Sequence, residues 1–454
     1  MGRLKAVEQE KAGSQSDTAK TSFAPCRSLV LLLRLTSWGQ SFRVRLMKTS
    51  TIRMALIAFL ISTFVVGAQT DPSLEIALPG APFGVVASAD HQWIFISLTG
   101  GVGGQGPGIA VLRKKDGNIG VERTVPMTSP PTGLVLTHAG DLLIVAANDS
   151  IVFFDTKRLE TGDGDPVLQR VGDGDNAGSI YVNVTPDDKT LFVSDEGAAR
   201  ITVIDLEKIR ALGRDSAAHS KGDQSSASSS AAIIGRIPVG LAPIALTFSK
   251  DQRWLFTTSE IAPEAWGWPR VLAPEGARAA QEKVPEGAVI VIDVAKAKTD
   301  PKGAVVGRVP AGGSPVRLAL SPDGNRLFVS ARNSNAALVF DTAELIKDPE
   351  HAKAVKVPVG KSPVPIVVVA DGKYVLVGNS DRFSANPAKA SSLTVLETSR
   401  IGTQSDPKVG EIPCGAFPRE FHLTADGQTL FLTNFRSRTL QVVEVSHLQE
   451  LLVK

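Results

Sequence analysis

Hydrophobic and polar positions alternate along this chain in short bursts, with no long helical stripes. Residues 308–342 show the pattern most clearly: RVPAGGSPVRLALSPDGNRLFVSARNSNAALVFDT. A Gly/Pro turn leads into an apolar run, followed by the turn Ser321-Pro322-Asp323-Gly324. Two further apolar runs follow, Leu327-Phe328-Val329-Ser330 and Ala337-Leu338-Val339-Phe340, the last ending at Asp341. Short apolar runs bounded by Gly, Pro and Asp predict strands joined by tight turns. One such unit cannot bury both its faces, so copies of it must stack.

The copies are present. They begin at Pro82, Pro131, Ser179, Pro243, Pro315, Pro363 and Pro418, and eight residues later each carries Asp or a substitute at the turn. Second strands follow at Ile94–Ser97, Leu143–Ala146, Leu191–Ser194, Leu255–Thr258, Leu327–Ser330, Val375–Gly378 and Leu430–Thr433. From the second copy on, third strands end at Asp155, Asp205, Asp293, Asp341, Glu397 and Glu444. A fourth strand fits between copies, ending in segments such as Ile237-Pro238-Val239-Gly240 and Val357-Pro358-Val359-Gly360. Residues 73–80, SLEIALPG, are a stray fourth strand ahead of the first copy. The pattern predicts an all-β, seven-bladed β-propeller of four-stranded antiparallel blades, with the strand near 73–78 closing the ring in the last blade. The Asp-Gly turns and the strand-ending acids repeat in blade after blade, so they read as turn and cap acceptors and not as catalytic pairs.

The tandem motif I-P-V-G-x-x-P…S-P-D-G…L-F-V-S…V-x-V-[I/F]-D resembles the YVTN-type seven-bladed propellers and the related lactonase-like propellers, over about residues 73–450. The last copy, GAFPREFHLTADGQTLFLTNFRSRTLQVVEV, is similar to the Pro-Arg-x-Phe blade of the lactonase-like group, which puts Arg419 at the matching position. The resemblance implies a ring-opening or cyclising activity on a lactone or small carboxylated substrate. Arg419 would bind a carboxylate or oxyanion, and Glu420 or His422 would act as base. Where the lactonase-like group has His-Pro-Asn/Asp-Gly turns, this chain has Ser-Pro-Asp-Gly or Ala-Asp-Gly.

Charge divides the chain. Of 49 Lys/Arg and 46 Asp/Glu, ten basic and three acidic residues fall in 1–68, which leaves the remainder four charges negative. The repeat region therefore has no general attraction for phosphate backbones, and nucleic acid is not an expected partner. From Met47, Lys48 and Arg53 precede an apolar run from Met54 to Val66 and the small-residue stretch Val66-Gly67-Ala68. That order predicts a signal peptide over 47–68, cleavage near Ala68 and a periplasmic or extracellular location. The mature chain would have no membrane span, and 1–46 reads as upstream sequence. Residues 69–454 are expected to form one monomeric propeller domain, with a Ser-rich, disordered loop near 212–232. Cys26 and Cys414 are the two cysteines, so no disulfide is expected within the mature domain.

Candidate chemistry lies where copies depart from the repeat. Two residues after the repeat Pro (or Ser179) the copies read Gly84, Gly133, Tyr181, Ala245, Arg317, Pro365 and Glu420; four after it come Asn183 and His422, among apolar or small siblings. The start of the innermost strand lines the channel mouth, so Tyr181, Arg317 and Glu420 should converge there with Arg419 beside them. Arg317 and Glu420 either pair and plug the channel or serve a ligand, because a buried charge needs a partner. The long insertions 99–108, 260–287 and 379–392 fall on the same face, bringing Trp266, Trp268 and Arg382, with Arg332 from a shorter turn. The tryptophans either stack on a ligand or partner or pack their own loop down. The six His are scattered without metal-ligand spacing, and Gly-x-Ser-x-Gly and haem-attachment motifs are absent. No metal or cofactor is expected. Two readings remain. One is an exported, non-catalytic propeller that binds a small ligand or an extracytoplasmic protein on its looped face. The other is a lactonase-like hydrolase or cyclase.

Overall fold

The computed structural model describes residues 73–101, 106–218, 230–272, 283–386 and 391–453. Its seven four-stranded sheets are antiparallel throughout and follow the sequence repeat. The innermost strands are Gly80–Ala87, Leu134–Leu136, Ser179–Val184, Leu241–Phe248, Pro315–Leu320, Pro363–Val369 and Pro418–Leu423. They open blades 1 to 7 in that order. In blades 1 to 6 the outermost strand is the fourth in sequence. In blade 7 it is β1 (Ser73–Ala77), paired with Thr439–Glu444 so that Leu74 faces Val442 and Ile76 faces Leu440. One sheet therefore holds both ends of the repeat region, and the ring closes as the stray strand predicts.

The motif Leu-Phe-Val-Ser is buried because it forms the second strand, with a sheet packed on each face. Leu142–Ala147 and Thr190–Asp195 are buried at all six positions. Phe95, Phe153, Phe192, Phe256 and Phe328 are fully buried, each contributing roughly 1.5–3 kcal/mol relative to exposure. The terminal Ser or Thr joins blades. Ser330 Oγ accepts from the Arg317 amide in its own blade (3.1 Å) and donates to the Val364 carbonyl of the next (2.7 Å). Ser194 donates likewise to Ile244 (2.7 Å), Thr258 to Val316 (3.3 Å) and Thr433 to Phe83 (3.0 Å). Blades 2 and 6 carry Ala146 and Gly378 at this position. In blade 2 the inner-strand amide of Gly133 instead reaches the Ile180 carbonyl directly, at 2.9 Å. A Cβ on Gly133 would come within 2.7 Å of that oxygen, so only glycine permits the approach.

The repeated turns are hydrogen-bonded units. The hydroxyls of Ser88, Ser249, Ser321 and Thr424 donate to Asp90, Asp251, Asp323 and Asp426, and each accepts the amide five residues on. Asp155, Asp293 and Asp341 accept the first free amides of the helices they precede: α1 (Thr156–Thr161), α3 (Val294–Thr299) and α4 (Thr342–Lys347). These acids are N-caps.

Each helix lies against the outermost strand of the preceding blade. Arg123 of blade 1 donates to the Leu159 and Glu160 carbonyls of α1 (2.6 and 2.9 Å). Beside blade 2 lies α2 (Leu206–Ala218), whose Leu206 and Ile209 pack with Val171 and Leu168. This helix carries the chain in regular structure through the first residues of the 212–232 stretch; 219–229 lie outside the described residues, as do 1–72 with the expected signal sequence. Among the described residues no helix is long and apolar enough to cross a membrane.

Candidate functional site

Three departures from the repeat meet at the channel mouth. Arg317 and Glu420 come from the inner strands of blades 5 and 7, and Nε of Arg317 donates to Glu420 Oε2 at 2.9 Å. Arg317 is 3% exposed and Glu420 9%. Tyr181 of blade 3 supplies the ring under the guanidinium, 4.4 Å from its carbon. Burial alone would push the Arg317 guanidinium down, but Glu420 and Tyr181 outweigh it and hold the group above its ordinary value. Burial and the Glu420 carboxylate drive the Tyr181 phenol upward, so it stays protonated. Arg317 Nη2 is buried without a partner. Arg317 and Glu420 are thus paired with each other, joining blades 5 and 7.

Around this pair lie arginines of a different kind. Arg419 follows the repeat Pro of blade 7, Arg382 comes from the insertion of blade 6, and Arg436 from a turn of blade 7. All three guanidiniums lie around one ring, Phe417, at 5.9, 5.3 and 5.7 Å from its centroid. Arg419 also lies over Phe83, at 3.9 Å. Arg436 donates to the Arg382 carbonyl at 2.6 Å. Among the described residues no carboxylate lies within ion-pair distance of any of the three. Burial, then Arg317 and Arg382, push Arg419 down to about 9, and burial, then Arg332, push Arg382 down to about 10. Both remain cations at neutral pH, held where cations repel one another. An anion placed there would relieve that repulsion.

Phe417 is itself strained. Its φ is +60°, a left-handed conformation, and the residues before the repeat Pro in blades 4, 5 and 6 share it: Ala242 (+48°), Ser314 (+50°) and Ser362 (+48°). Three siblings are small. Blade 7 alone places an aromatic residue there, at a cost of roughly 1–3 kcal/mol. Its ring joins Ile244, Val316 and Val364 in an apolar collar at the mouth and meets Phe435 at 5.3 Å. The sequence carries this signal as the set Ala242, Ser314, Ser362, Phe417, a column that reading for charge passes over.

Arg332 and Glu260 form a second buried pair at 2.6 Å, joining blades 5 and 4. Glu196, on the turn of blade 3, is raised by burial and then by Glu260, with the mouth arginines acting in the opposite sense. With Arg317 paired to Glu420 and Arg332 to Glu260, Arg382, Arg419 and Arg436 are, among the described residues, without a carboxylate at ion-pair distance, and Glu196 is the acid whose ionisation Arg419 favours.

Other candidates are held elsewhere. His422 Nε2 accepts the Ala87 amide of blade 1 at 3.2 Å, and burial, then His91, push its imidazole down to about 4. It is neutral and joins blades 7 and 1. Asn183 donates to the Leu246 carbonyl at 3.0 Å and accepts the Val184 amide at 2.9 Å, joining blades 3 and 4. Trp266 and Trp268 meet edge-on at 5.0 Å and pack on the core shared by blades 3 and 4, with Arg308 of the outermost strand of blade 4 over Trp266 at 5.1 Å. Among the described residues no group of three or more His, Cys, Asp or Glu is placed to hold a metal ion.

The model of the family described as "Lactonase, 7-bladed beta-propeller" matches residues 349–453. No curated protein matches the sequence. Among solved structures, a chain of Kuenenia stuttgartiensis hydrazine synthase is similar over 84% of this chain and 99% of its own, with a TM-score of 0.57 and 17% identity. At that identity the likeness concerns the fold alone. This chain is a seven-bladed β-propeller whose last two blades carry the sequence signature of the lactonase propellers.

Proposed function

We propose that this chain is an exported binding propeller that takes a small anionic ligand at its looped mouth and performs no chemistry on it. The observation that carries the reading is the set of three arginines around Phe417, without a carboxylate at ion-pair distance among the described residues, beside the buried Arg317–Glu420 pair. Export rests on the signal-like sequence at 47–68.

The lactonase-like reading is the alternative, supported by the family match over 349–453 and by Arg419 at the Pro-Arg-x-Phe position. Against it stand the two candidate bases. Glu420 is committed to Arg317, and His422 uses Nε2 to accept a backbone amide. A general base must reach the proton it removes.

The test is calorimetric titration of the full-length protein with inorganic phosphate, malonate and citrate at two salt concentrations, with a γ- and δ-lactone panel assayed in parallel. Saturable, salt-sensitive binding that weakens about tenfold or more in Arg419→Ala, without lactone turnover, is the expected result. Turnover abolished by Arg419→Ala would transfer the site to the lactonase-like reading. Absence of anion binding would overturn the proposal.

A further inference from the structure

Blade 7 departs from its siblings on both sides of its repeat Pro. The residue before that position is small or Pro in the other six blades and Phe417 here. The residue after it is uncharged in the other six and Arg419 here. The two departures meet in space. The guanidiniums of Arg419, Arg382 and Arg436 lie over the Phe417 ring at 5.9, 5.3 and 5.7 Å from its centroid. All three fall within the reach of about 6 Å over which the negative face of a ring attracts a cation. Arg419 also lies over Phe83 and Arg382 over Phe383, while Arg436 donates to the Arg382 carbonyl. Among the described residues Phe417 is the ring that all three share.

The ring is itself firmly seated. The Phe417 amide donates to Ser391 Oγ of blade 6 at 3.3 Å, and the Phe417 carbonyl accepts the Phe435 amide at 2.8 Å. One residue earlier, the Ala416 amide donates to Ser437 Oγ at 2.6 Å and the Ala416 carbonyl accepts the Arg436 amide at 3.1 Å. Pro418 follows with its fixed φ. The ring packs with Ile244, Val316 and Val364 and is buried. Its backbone and its side chain are thus both fixed by contacts that involve none of the three guanidiniums. A long cationic side chain gives up much rotamer freedom when it is ordered, and neighbouring cations repel. A rigid ring attracts each of them and cancels none of their charge.

We infer that Phe417 is the positioning residue of the arginine mouth: its ring orients Arg382, Arg419 and Arg436 and leaves their charges free. A carboxylate in that place would order the guanidiniums and neutralise them. An aliphatic side chain would fill the space and attract none. That an anion then binds rests on the function proposed above; that the ring orients the arginines does not, and the two are read separately.

Phe417→Leu keeps apolar bulk against Val316 and Val364 and removes the ring face, whereas Phe417→Tyr keeps the face. Phenylglyoxal modification of the full-length protein, with the rate at each arginine mapped by mass spectrometry, reads the ordering of the guanidiniums without any ligand. Phe417→Leu should speed modification of Arg382, Arg419 and Arg436 about threefold or more, and Phe417→Tyr should leave their rates at the parent value. Arg400, on the turn after the third strand of blade 6 and paired with Glu397, should be unchanged in both. Calorimetric titration with malonate should weaken about tenfold or more in Phe417→Leu and stay near the parent in Phe417→Tyr. If Phe417→Leu loses the parent thermal transition, a ring-fluorinated phenylalanine at 417, which keeps the shape and weakens the face, replaces it and is read the same way. Unchanged rates at the three arginines, or rates raised as much by Tyr as by Leu, overturn the inference. So does malonate bound as tightly by Phe417→Leu as by the parent. Faster modification in Phe417→Leu alone, with no malonate bound by the parent, upholds the inference and overturns the function proposed above.

Discussion

Replacing Glu420 with Gln separates what the plug does for stability from what it does for the ligand site. The substitution keeps the shape and an acceptor for Arg317 Nε, and removes the charge. In the wild type the pair is 2.9 Å apart and nearly sealed from solvent. Two unit charges at about 4 Å and an effective dielectric near 20 attract by about 4 kcal/mol. Leaving one member of a buried pair uncompensated costs about 3–5 kcal/mol. Arg317 has little else to turn to: its Nη2 is already unpartnered, and the cation of Arg419 is close enough to repel it. Glu420→Gln should therefore lower the unfolding free energy by about 3–5 kcal/mol, read from urea melts followed by tryptophan fluorescence. The double variant Arg317→Met, Glu420→Leu should recover all but about 1 kcal/mol, because an apolar pair of similar volume avoids the desolvation that the ions incur. Met at 317 also keeps a polarizable group over the Tyr181 ring. Anion binding should move the other way in the single variant: the mouth gains one net positive charge, so malonate should bind several-fold more tightly. A Glu420→Gln protein within 1 kcal/mol of wild type would mean that the pair is solvated and the plug contributes little. A double variant as unstable as the single one would mean that the cost lies in packing and not in charge.

Ser330→Ala should destabilise by about 2–6 kcal/mol in the same urea assay, because it strands the Arg317 amide and the Val364 carbonyl in a buried place, each at about 1–3 kcal/mol. Blade 2 avoids this loss only because Gly133 lets its strand approach the next one. Asp90, Asp251 and Asp323 are held below the ordinary carboxylate value by the hydroxyls of Ser88, Ser249 and Ser321. Their contribution is complete above the unfolded value of about 4 and is lost as pH falls through the lower folded values. Stability should decline on acidification from pH 5 toward pH 2, and the Asp90→Ala, Asp251→Ala, Asp323→Ala triple variant should flatten that slope.

Much of the architecture is legible because seven copies of one unit average out local noise. A Leu-Phe-Val-Ser run read once is ambiguous between strand and buried helix, whereas seven in step with Asp turns are not. The same repetition exposed Tyr181, Arg317 and Glu420, since a channel-facing position that breaks a column of small and apolar residues is visible without coordinates. Asn183 and His422 break their column too, yet each uses a side-chain nitrogen on the inner strand of the neighbouring blade, Asn183 donating to Leu246 and His422 accepting from Ala87. Period-two alternation gives the face of a strand; it does not say which backbone group across the interface lacks a partner. Insertions were the least legible part, because they escape the repeat. Nothing in the spacing of Trp266 and Trp268 indicates that their arm folds onto blades 3 and 4, or that Arg382 turns inward to Phe417.

Phe417 sharpens the point. A repeat makes a departure in chemistry conspicuous and a departure in conformation invisible, because the left-handed step before the repeat Pro is common to blades 4 to 7 and only its side chain differs. Ala and Ser tolerate that step more cheaply than Phe does. A bulky residue there is a cost that blade 7 alone carries, and the ring it places is the one around which Arg382, Arg419 and Arg436 are grouped. Strain and unpaired charge thus coincide at one residue, in the copy that also supplies Glu420 to the plug. The left-handed step itself is shared with blades 4 to 6; the bulky ring placed in it, with arginines grouped around that ring, belongs to blade 7, and an anion bound there, as proposed above, would offset the repulsion between those arginines.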